Sequence, residues 1–422
     1  MQLMHLLGGI AILAFLVIVL LSKTPRKTFI IATICSFPLL DIPVTPFNLG
    51  GLRVFDVYSY IIFLLLFRDF IAVDKNGTRY GYFFGMLFLV LLLGSLTSQF
   101  ITTSLISLQS IIPVFIFGKA LIDECQANEK FRDEIIKLFK IVTAVAILFM
   151  IPQIFLGLKF TFYPNLNPNT DGPDGIRYPS FFHDPQKYAQ FLTMMSFVLL
   201  ISAERTINVK SVALFIISIF AILLTGGRSA IIGLAGGLAV LMLFLEGRLK
   251  IAILSILILG CLPLIFFSDS LITFDRLGDF QNDYDFRSSI WKEAFQIFLN
   301  HPMFGIGIGN YQSHVQYYAT DQYFVYDNVA EYFDQPESGF LKILVEFGLV
   351  GFLIFALFVV LPIINFVRLP IAKSADLRNP VLISSIVSWG IAFNSVYSLS
   401  DRRIALTLVC MLSLLIVEAE RN

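Results

Sequence analysis

Long apolar runs separated by short polar loops occupy most of the 422-residue chain. Most of these runs approach the roughly 20 apolar residues that an α-helix needs to cross the hydrocarbon core of a bilayer. We therefore predict an all-α, polytopic integral membrane protein with about 12–14 transmembrane helices. The thirteen runs are Met4–Leu21, Thr28–Leu40, Leu49–Phe67, Tyr82–Ser98, Ser104–Ile122, Ile141–Leu158, Tyr188–Ala203, Ser211–Thr225, Ala230–Leu245, Ile251–Phe267, Phe340–Phe366, Val381–Leu399 and Ile404–Glu418.

The composition supports this prediction and excludes other classes of protein. Hydrophobic residues make up 57% of the chain and charged residues 14%, against about 45–50% and about 25% in soluble domains. Basic and acidic residues number 30 each, so the chain lacks the net positive charge of a nucleic-acid binder. The four cysteines lie far apart without a C-x-x-C spacing, and we predict neither a metal site nor a cofactor.

The distribution of lysine and arginine among the loops sets the predicted orientation. By the positive-inside rule, the loops rich in these residues face the cytoplasm, and the long loops 159–187 and 268–338 then lie on the outer face. We accordingly predict three parts: a bundle of the first ten spans (1–267), an outer loop that covers the functional site (268–338) and the C-terminal transmembrane helices (339–422). The cytoplasmic cations are Lys23, Arg26, Lys27, Arg68, Lys75, Arg79, Lys130, Arg132, Lys137, Lys140, Arg205, Lys210, Arg248, Lys250, Arg368, Lys373, Arg378 and Arg421.

The loop 268–338 is strongly acidic and is predicted to contain short amphipathic helices. It holds eleven acidic and three basic residues, a net charge of −8, so an anion bound beside it needs dedicated cations. Arg287 begins one predicted surface helix and is either such a cation or an ordinary interfacial arginine. Apolar residues recur after it at helical spacing, at Ile290, Trp291, Ala294, Phe295 and Phe298.

Arg228 is the strongest candidate for a cation that binds an anion. It lies in Thr225-Gly226-Gly227-Arg228-Ser229, a tight turn between two apolar runs, and the next helix is predicted from about Ala230. A helix N-terminus presents N–H groups without helical partners, and a guanidinium beside it pairs with two phosphate oxygens at once. The alternative is an arginine that marks the edge of the bilayer and contacts lipid phosphates.

Four further side chains are candidates for substrate binding. Arg177 precedes a span on the same face. His183 and the adjacent Asp184 also precede that span, and a polar helix entrance is the alternative for these two. Trp291 lies in the predicted surface helix and offers an aromatic face to a sugar. Lys342 begins the following span, where pairing with Glu346 four residues later is the alternative.

Two other charged patterns are predicted to be structural. Asp283-Tyr284-Asp285 has the D-x-D form that holds a metal in nucleotide-sugar enzymes. Nucleotide sugars are cytoplasmic and this loop is not, so we predict a solvated acidic turn. Arg53 and Asp56, three residues apart at the start of a span, are predicted to pair with each other.

Glu337 is the candidate for a general base, with His183 as the other possibility. Glu337 precedes Ser338-Gly339 and a long apolar run, which places a carboxylate at the outer lip of the bundle. A carboxylate near a desolvated cleft becomes a stronger base, because burial favours its protonated form. The alternative is one more acid in an acidic loop.

Four motifs follow one another over about residues 211–366. The motifs are Gly-Gly-Arg228-Ser-Ala, Arg287-Ser-Ser-Ile-Trp291-Lys-Glu-Ala, His301-Pro302-Met-Phe-Gly305-Ile-Gly307 and Glu337-Ser-Gly-Phe-Leu-Lys-Ile-Leu-Val-Glu346-Phe-Gly348-Leu-Val-Gly351. In this order and spacing they resemble the O-antigen ligase and polymerase superfamily of bacterial envelope glycan assembly.

The resemblance implies a metal-independent glycosyltransferase of the bacterial inner membrane. Its substrates would be undecaprenyl-diphosphate-linked glycans, and its active site would face the periplasm, which makes 268–338 a periplasmic loop. Arg228 and Arg287 match the two arginines that bind the donor diphosphate in the ligases. The ligases also carry a histidine that is thought to activate the acceptor, and Glu337 or its neighbour stands at that position here. We therefore assign Glu337, Arg228 and Arg287 as catalytic residues and favour a Wzy-type polymerase.

The predicted reaction moves a growing glycan from its carrier onto a newly flipped repeat unit, with inversion at the anomeric carbon. The expected partners are the undecaprenyl-diphosphate-linked donor and acceptor, membrane lipid and a chain-length regulator. Two alternatives stay open: a ligase that transfers glycan to lipid A–core, and a flippase for lipid-linked oligosaccharides. A flippase predicts a charged central path and pseudo-symmetric halves, whereas the polar residues of this chain concentrate at one face.

Overall fold

The fold is all-α, as predicted, with strands confined to two short hairpins among the described residues. The computed structural model describes residues 2–45, 51–67, 79–172, 175–201, 207–245, 247, 250–251, 253–255, 280–319, 323–326, 329–368 and 377–421. The predicted span Ile251–Phe267 lies largely outside these residues. The same holds for several acids of the long loop, namely Asp269, Asp275, Asp279, Asp321 and Asp327.

Fifteen helices and four strands occur in the described part of the chain. The antiparallel hairpins pair β1 with β2 and β3 with β4. The strands are β1 (Asp171–Gly172), β2 (Gly175–Ile176), β3 (Tyr323–Tyr326) and β4 (Val329–Tyr332). The helices are α1 (Gln2–Leu20), α2 (Pro25–Cys35), α3 (Val54–Leu65), α4 (Arg79–Leu96), α5 (Ile101–Gln109), α6 (Ile111–Ala127), α7 (Glu129–Leu156), α8 (Pro185–Leu200), α9 (Val209–Leu224), α10 (Arg228–Phe244), α11 (Phe280–Asn300), α12 (Tyr311–Val315), α13 (Gly339–Arg368), α14 (Arg378–Phe393) and α15 (Arg402–Arg421).

Several of the helices have the apolar composition of membrane spans, and some also have the length. Among the described residues, three helical stretches are long and apolar enough to cross a bilayer: Ile101–Ala127, Glu129–Lys159 and Gly339–Val367. Five shorter apolar helices accompany them, at Met4–Leu20, Val54–Leu65, Tyr80–Leu96, Val209–Leu224 and Arg228–Phe244. The chain is therefore an integral membrane protein.

The run predicted at Ser104–Ile122 forms two helices, α5 and α6, instead of one. Pro113 lies in the first turn of α6 and has no N–H to donate to the carbonyl of Gln109, the last residue of α5. The hydroxyl of Tyr60 donates to that carbonyl at 2.5 Å. A distant side chain thus satisfies the backbone group that the proline leaves open, and the break is stable.

The amphipathic helix of the long loop is longer than predicted. It begins at Phe280, so Arg287 lies two turns inside α11 and not at its start. The expected acidic turn at 283–285 is also helical in its backbone.

By the contacts among its residues, the chain divides into two compact units. The first unit comprises Met1–Glu129, Asp283–Ile364 and Leu399–Glu420. The second unit comprises Lys130–Asn282, Asn365–Ser398 and Arg421–Asn422. The three-part division at 267/268 and 338/339 stays a prediction.

In the second unit, α10 packs closely against α14. A Cβ atom added at Gly233 would lie 2.5 Å from the carbonyl oxygen of Ser388, and one at Gly237 would lie 2.8 Å from that of Ser384. The two glycines are four residues apart and share one face of the helix. Small residues at this spacing let two membrane helices approach to backbone contact.

In the first unit, α13 is broken at Gly348, which has φ 67° and ψ −178°. The break releases the carbonyls of Val345 and Glu346, which instead accept hydrogen bonds from the N–H groups of Ile306 and Gly307, both at 3.1 Å. It also releases two N–H groups, and these donate to carbonyls of the same segment: Leu349 to Pro302 at 2.8 Å and Val350 to Met303 at 3.3 Å. The segment 302–307 therefore replaces the helical bonds that α13 loses.

Serine and asparagine side chains hold the other side of this segment. Ser98 donates its hydroxyl to the carbonyl of Ile306 at 2.6 Å, and the amide of Asn310 donates to the Ser98 oxygen at 2.6 Å. A Cβ atom at Gly307 would lie 2.5 Å from the hydroxyl oxygen of Ser104. The segment is thus fixed between the break in α13 and the α4–α5 connection.

A buried ionic cluster also lies in the first unit, formed by Asp41, Arg53, Asp56, Asp401, Arg402 and Arg403. Arg402 makes two parallel hydrogen bonds to Asp56, at 2.9 and 3.0 Å. Arg53 pairs with Asp41, so the predicted Arg53–Asp56 ion pair is wrong, although the Arg53 N–H still donates to Asp56 at 3.1 Å. Paired charges are the form in which ionic groups are tolerated in a membrane protein interior.

We predict that Gly348→Ala destabilises the protein by about 1–3 kcal/mol or more. The positive φ is strained for any residue with a side chain, and a Cβ atom would lie 2.5 Å from the Gly305 nitrogen. The measurement is the thermal unfolding midpoint in detergent. The control is Gly85→Ala in α4, where no atom lies within 4 Å of an added Cβ; equal midpoints for the two variants would contradict the prediction.

We also predict that Arg402→Met costs about 3–5 kcal/mol of stability, because it leaves the fully buried Asp56 carboxylate without its main partner. The control is Lys119→Met. Lys119 is 29% exposed, and its partner Asp123 retains Arg26 at 3.6 Å, so the loss should stay below about 1 kcal/mol. Denaturation of both variants in the same detergent compares them, and similar losses would show that burial does not set the cost.

Candidate functional site

The turn that carries Arg228 joins α9 to α10 in the second unit. Gly226 has a φ of 67°, and Gly227 occupies the N-cap position, where it has no side chain to cap the helix. Thr225 donates its hydroxyl to the Ile222 carbonyl at 2.6 Å and accepts from the Gly227 N–H at 3.2 Å. The predicted turn is confirmed, and the helix begins at Arg228, two residues earlier than expected.

Close packing explains why glycine follows glycine in this turn. A Cβ atom at Gly227 would lie 2.8 Å from the Cβ of Ala189 in α8. Arg228 itself is half-buried and opens a helix of 17 residues. Its guanidinium charge therefore adds to the partial positive charge of the helix N-terminus.

Arg177 lies against the same turn. It is 4% exposed, and its Nε donates to the carbonyl of Thr225 at 2.8 Å. The next residue, Tyr178, donates its N–H to the carbonyl of Leu224 at 3.3 Å. A cation bound to carbonyls at the C-terminal end of α9 is favoured by the helix dipole. These contacts give Arg177 a part in holding the turn, and its contact with substrate stays a prediction.

The loop after Arg177 is held in a strained conformation. Ser180 has a φ of 54°, which is uncommon for a residue with a side chain. The buried amide of Gln153 accepts from the Ser180 N–H at 2.9 Å and donates to its carbonyl at 2.8 Å. The Ser180 hydroxyl donates to the Ala146 carbonyl at 2.6 Å. These three hydrogen bonds attach the loop to α7.

His183 and Asp184 form the entrance to α8. Asp184 is the N-cap and accepts from the N–H of Gln186 at 2.8 Å. His183 Nε2 lies 3.4 Å from Nζ of Lys187, and its carbonyl accepts from the N–H of Asn167 at 2.8 Å. For Asp184 the structure supports the polar helix entrance, and the substrate-binding role of His183 stays a prediction.

In the first unit, Arg287 and Glu337 lie close together. The Nη2 of Arg287 is 3.7 Å from Oε2 of Glu337, and the two side chains are 28% and 22% exposed. Glu337 has a φ of 49°, a conformation that costs a residue with a side chain about 1–3 kcal/mol and that concentrates at functional sites. The sequence separates these residues by fifty positions, and the fold pairs them.

The loop that carries Glu337 is tied to the start of α13. The hydroxyl of Ser338 accepts from the N–H of Leu341 at 3.3 Å. Lys342 donates its Nζ to the carbonyl of Asp334 at 2.7 Å and lies 3.9 Å from the carboxylate of Glu346. These contacts support the structural alternative for Lys342, and its substrate-binding role stays a prediction.

Trp291 lies one turn after Arg287 on α11 and is half-buried. Residues four apart share a helix face, so the side chains of Trp291 and Arg287 lie on the same face of α11. Another face of α11 carries Ala294 and Ile297, which pack with Tyr311 of α12 in a hydrophobic core. That core fixes the rotation of α11 and with it the direction of Arg287.

Two groups beneath this site have shifted pKa values. Burial raises the pKa of the Tyr311 hydroxyl, and the nearby carboxylates of Glu293 and Glu346 add to the effect. Burial lowers the pKa of His314, the carbonyl of Asn310 opposes that shift, and His301 adds to it. Both groups are therefore neutral near pH 7.

Two pairings of candidate residues emerge, each inside one unit. The first unit pairs Arg287 with Glu337, and the second places Arg177 beneath the turn of Arg228. A diphosphate site shared by Arg228 and Arg287 stays a prediction. Sequence reasoning missed Gln153 and Ser180, because neither belongs to a motif and the strain at Ser180 has no signal in the residue type.

The comparisons with known proteins agree with the sequence motifs. The family model described as O-antigen ligase matches residues 213–356, about a third of the chain. Arg228, Arg287, Trp291, Glu337 and Lys342 fall inside the matched segment. No curated protein matches the chain. Over residues 213–356 the chain is thus similar to the O-antigen ligase family, which confirms its resemblance to the ligase and polymerase superfamily.

Proposed function

We propose that this protein polymerises undecaprenyl-diphosphate-linked oligosaccharide repeat units into O-antigen or a related surface polysaccharide. The family match supports a membrane enzyme of O-antigen processing that acts on lipid-linked glycans. The choice of a polymerase rests on the resemblance, by which Glu337 or its neighbour stands where the ligases carry a histidine. In this proposal the protein lies in the inner membrane with its active site on the periplasmic side, and a chain-length regulator is a further partner.

The Arg287–Glu337 pair is the observation that carries this proposal. Glycosyl transfer from a lipid diphosphate needs a cation for the departing diphosphate and a base for the acceptor hydroxyl. The pair supplies one group of each kind within 3.7 Å, inside the matched family segment. Arg228 is proposed as a second cation for the diphosphate because it matches the other diphosphate-binding arginine of the ligases.

In the proposed reaction the acceptor hydroxyl attacks the anomeric carbon of the donor. The bond from that carbon to the diphosphate oxygen breaks, and its electron pair leaves with undecaprenyl diphosphate. Glu337 takes the hydroxyl proton. A diphosphate departs without protonation when its charge is neutralised, so the arginines and the placement of the acceptor account for the rate.

A ligase is the second candidate, because the matching family model carries that description. The two activities differ only in the acceptor. We predict that purified protein in detergent, supplied with one donor, elongates the lipid-linked repeat unit and leaves lipid A–core unmodified. Gel analysis of the glycan product measures this. Transfer to lipid A–core alone would establish the ligase, and the absence of any product would oppose both enzymes.

We predict that Arg228→Ala and Arg287→Ala each lower the polymerisation rate by about ten- to a hundredfold. A charge-assisted hydrogen bond contributes about 1.5–3 kcal/mol, and each 1.36 kcal/mol is about tenfold in rate. Initial rates with saturating acceptor give the comparison. Lys137→Ala, an exposed cation of α7 outside the matched segment, is the control; full activity in both arginine variants would refute the assignment.

A further inference from the structure

The Arg287–Glu337 pair joins two residues to which the proposed function gives different tasks, and the inference that follows rests on that function. A guanidinium beside a carboxylate stabilises its negative charge and weakens its affinity for a proton. Glu337 beside Arg287 is therefore a weaker base than Glu337 alone. The contact seen here opposes the step that Glu337 has to perform.

The contact is loose enough to be exchanged. Its N···O separation of 3.7 Å exceeds hydrogen-bonding distance, and both side chains are partly exposed. Exposed ion pairs of this kind contribute little to stability. A diphosphate instead offers several charged oxygens, to which a guanidinium binds through two parallel hydrogen bonds. A bound diphosphate is therefore the stronger partner for Arg287.

The structure also indicates which of the two residues moves. Glu337 is held by its left-handed backbone and by the capping contact of Ser338 at the start of α13. The bond from Lys342 to the Asp334 carbonyl fixes the same loop from its other end. Arg287 projects from α11 on a long side chain with several rotatable bonds. Arg287 can swing to a ligand while the carboxylate stays in place.

We propose that Arg287 exchanges partners during the reaction, from Glu337 in the empty enzyme to the diphosphate of the bound donor. The exchange moves the Arg287 charge away from Glu337 and makes that carboxylate a stronger base once the donor is bound. Donor binding thus precedes activation of the acceptor. The acceptor proton then passes to Glu337, and the electron pair of the broken carbon–oxygen bond leaves with the diphosphate that Arg287 holds.

The test measures the affinity of the full chain in lipid nanodiscs for two probes, undecaprenyl diphosphate and inorganic pyrophosphate. Glu337→Gln removes the competing carboxylate, so both probes should bind about two- to fivefold more tightly, as the loss of a competing contact worth up to about 1 kcal/mol implies. Polymerisation should be lost in the same variant. If undecaprenyl diphosphate bound more tightly and pyrophosphate did not, the added affinity would come from the lipid tail, and the proposed exchange would be wrong.

Two controls separate partner exchange from a general loss of negative charge. Asp334→Asn removes one charge from the same loop, where Asp334 is exposed and none of the described ion pairs joins it to Arg287. It should leave both affinities unchanged. In the Arg287→Gln background, Glu337→Gln should give no gain. An equal gain in Asp334→Asn, or a gain that persists without Arg287, would overturn the proposal.

The outcomes also separate this proposal from the proposed function. A Glu337→Gln variant that still polymerises refutes Glu337 as the base, whatever its affinity. A variant that loses activity without binding pyrophosphate more tightly refutes the exchange and leaves the function intact. If its unfolding midpoint shows that Glu337→Gln does not fold, Glu337→Asp replaces it. Its side chain is one methylene shorter, so its carboxylate lies farther from Arg287. It should bind pyrophosphate more tightly than the native protein, and an unchanged affinity would overturn the exchange.

Discussion

The contact between the break in α13 and the segment 302–307 is the constraint on which the first unit depends. At Gly348 the helix leaves four backbone groups without their helical partners, and the segment forms a hydrogen bond with each of them. Gly305 and Gly348 allow this, because a Cβ atom on either would collide with the other's backbone. The contact fixes both the end of α11 and the first turns of α13. Gly305 and Gly348 thus join the segment that follows α11 to the helix that follows Glu337.

Hydropathy located most helices, because burial in lipid demands an unbroken apolar stretch whatever lies around it. Hydropathy gave the wrong prediction where contacts with distant residues determine the backbone conformation or the ion pairs. The division of α5 from α6 depends on Pro113 together with the hydroxyl of Tyr60, and the pairing of Asp56 with Arg402 joins residues at opposite ends of the chain. Such contacts leave no periodic signal, so local spacing suggested Arg53 as the partner of Asp56.

In the candidate site, too, the local features were predictable from the sequence and the long-range contacts were not. The turn of Arg228 was predictable, because two glycines and the flanking apolar runs determine its shape locally. The burial of Arg177 beneath that turn was not, since it depends on where the loop after β2 packs. The Arg287–Glu337 contact likewise follows from how α11 and α13 are packed. A motif therefore identifies the chemical groups, and only the fold gives their partners.

The left-handed backbone of Glu337 has a consequence for how this protein can evolve. A glycine at that position would relax the chain and stabilise the fold, while it would remove the carboxylate. Under the proposed function, selection for stability and selection for activity therefore favour different residues at this position. Homologues that have lost the activity should carry glycine or asparagine at this position. Screens for more thermostable variants of this protein should replace Glu337 early.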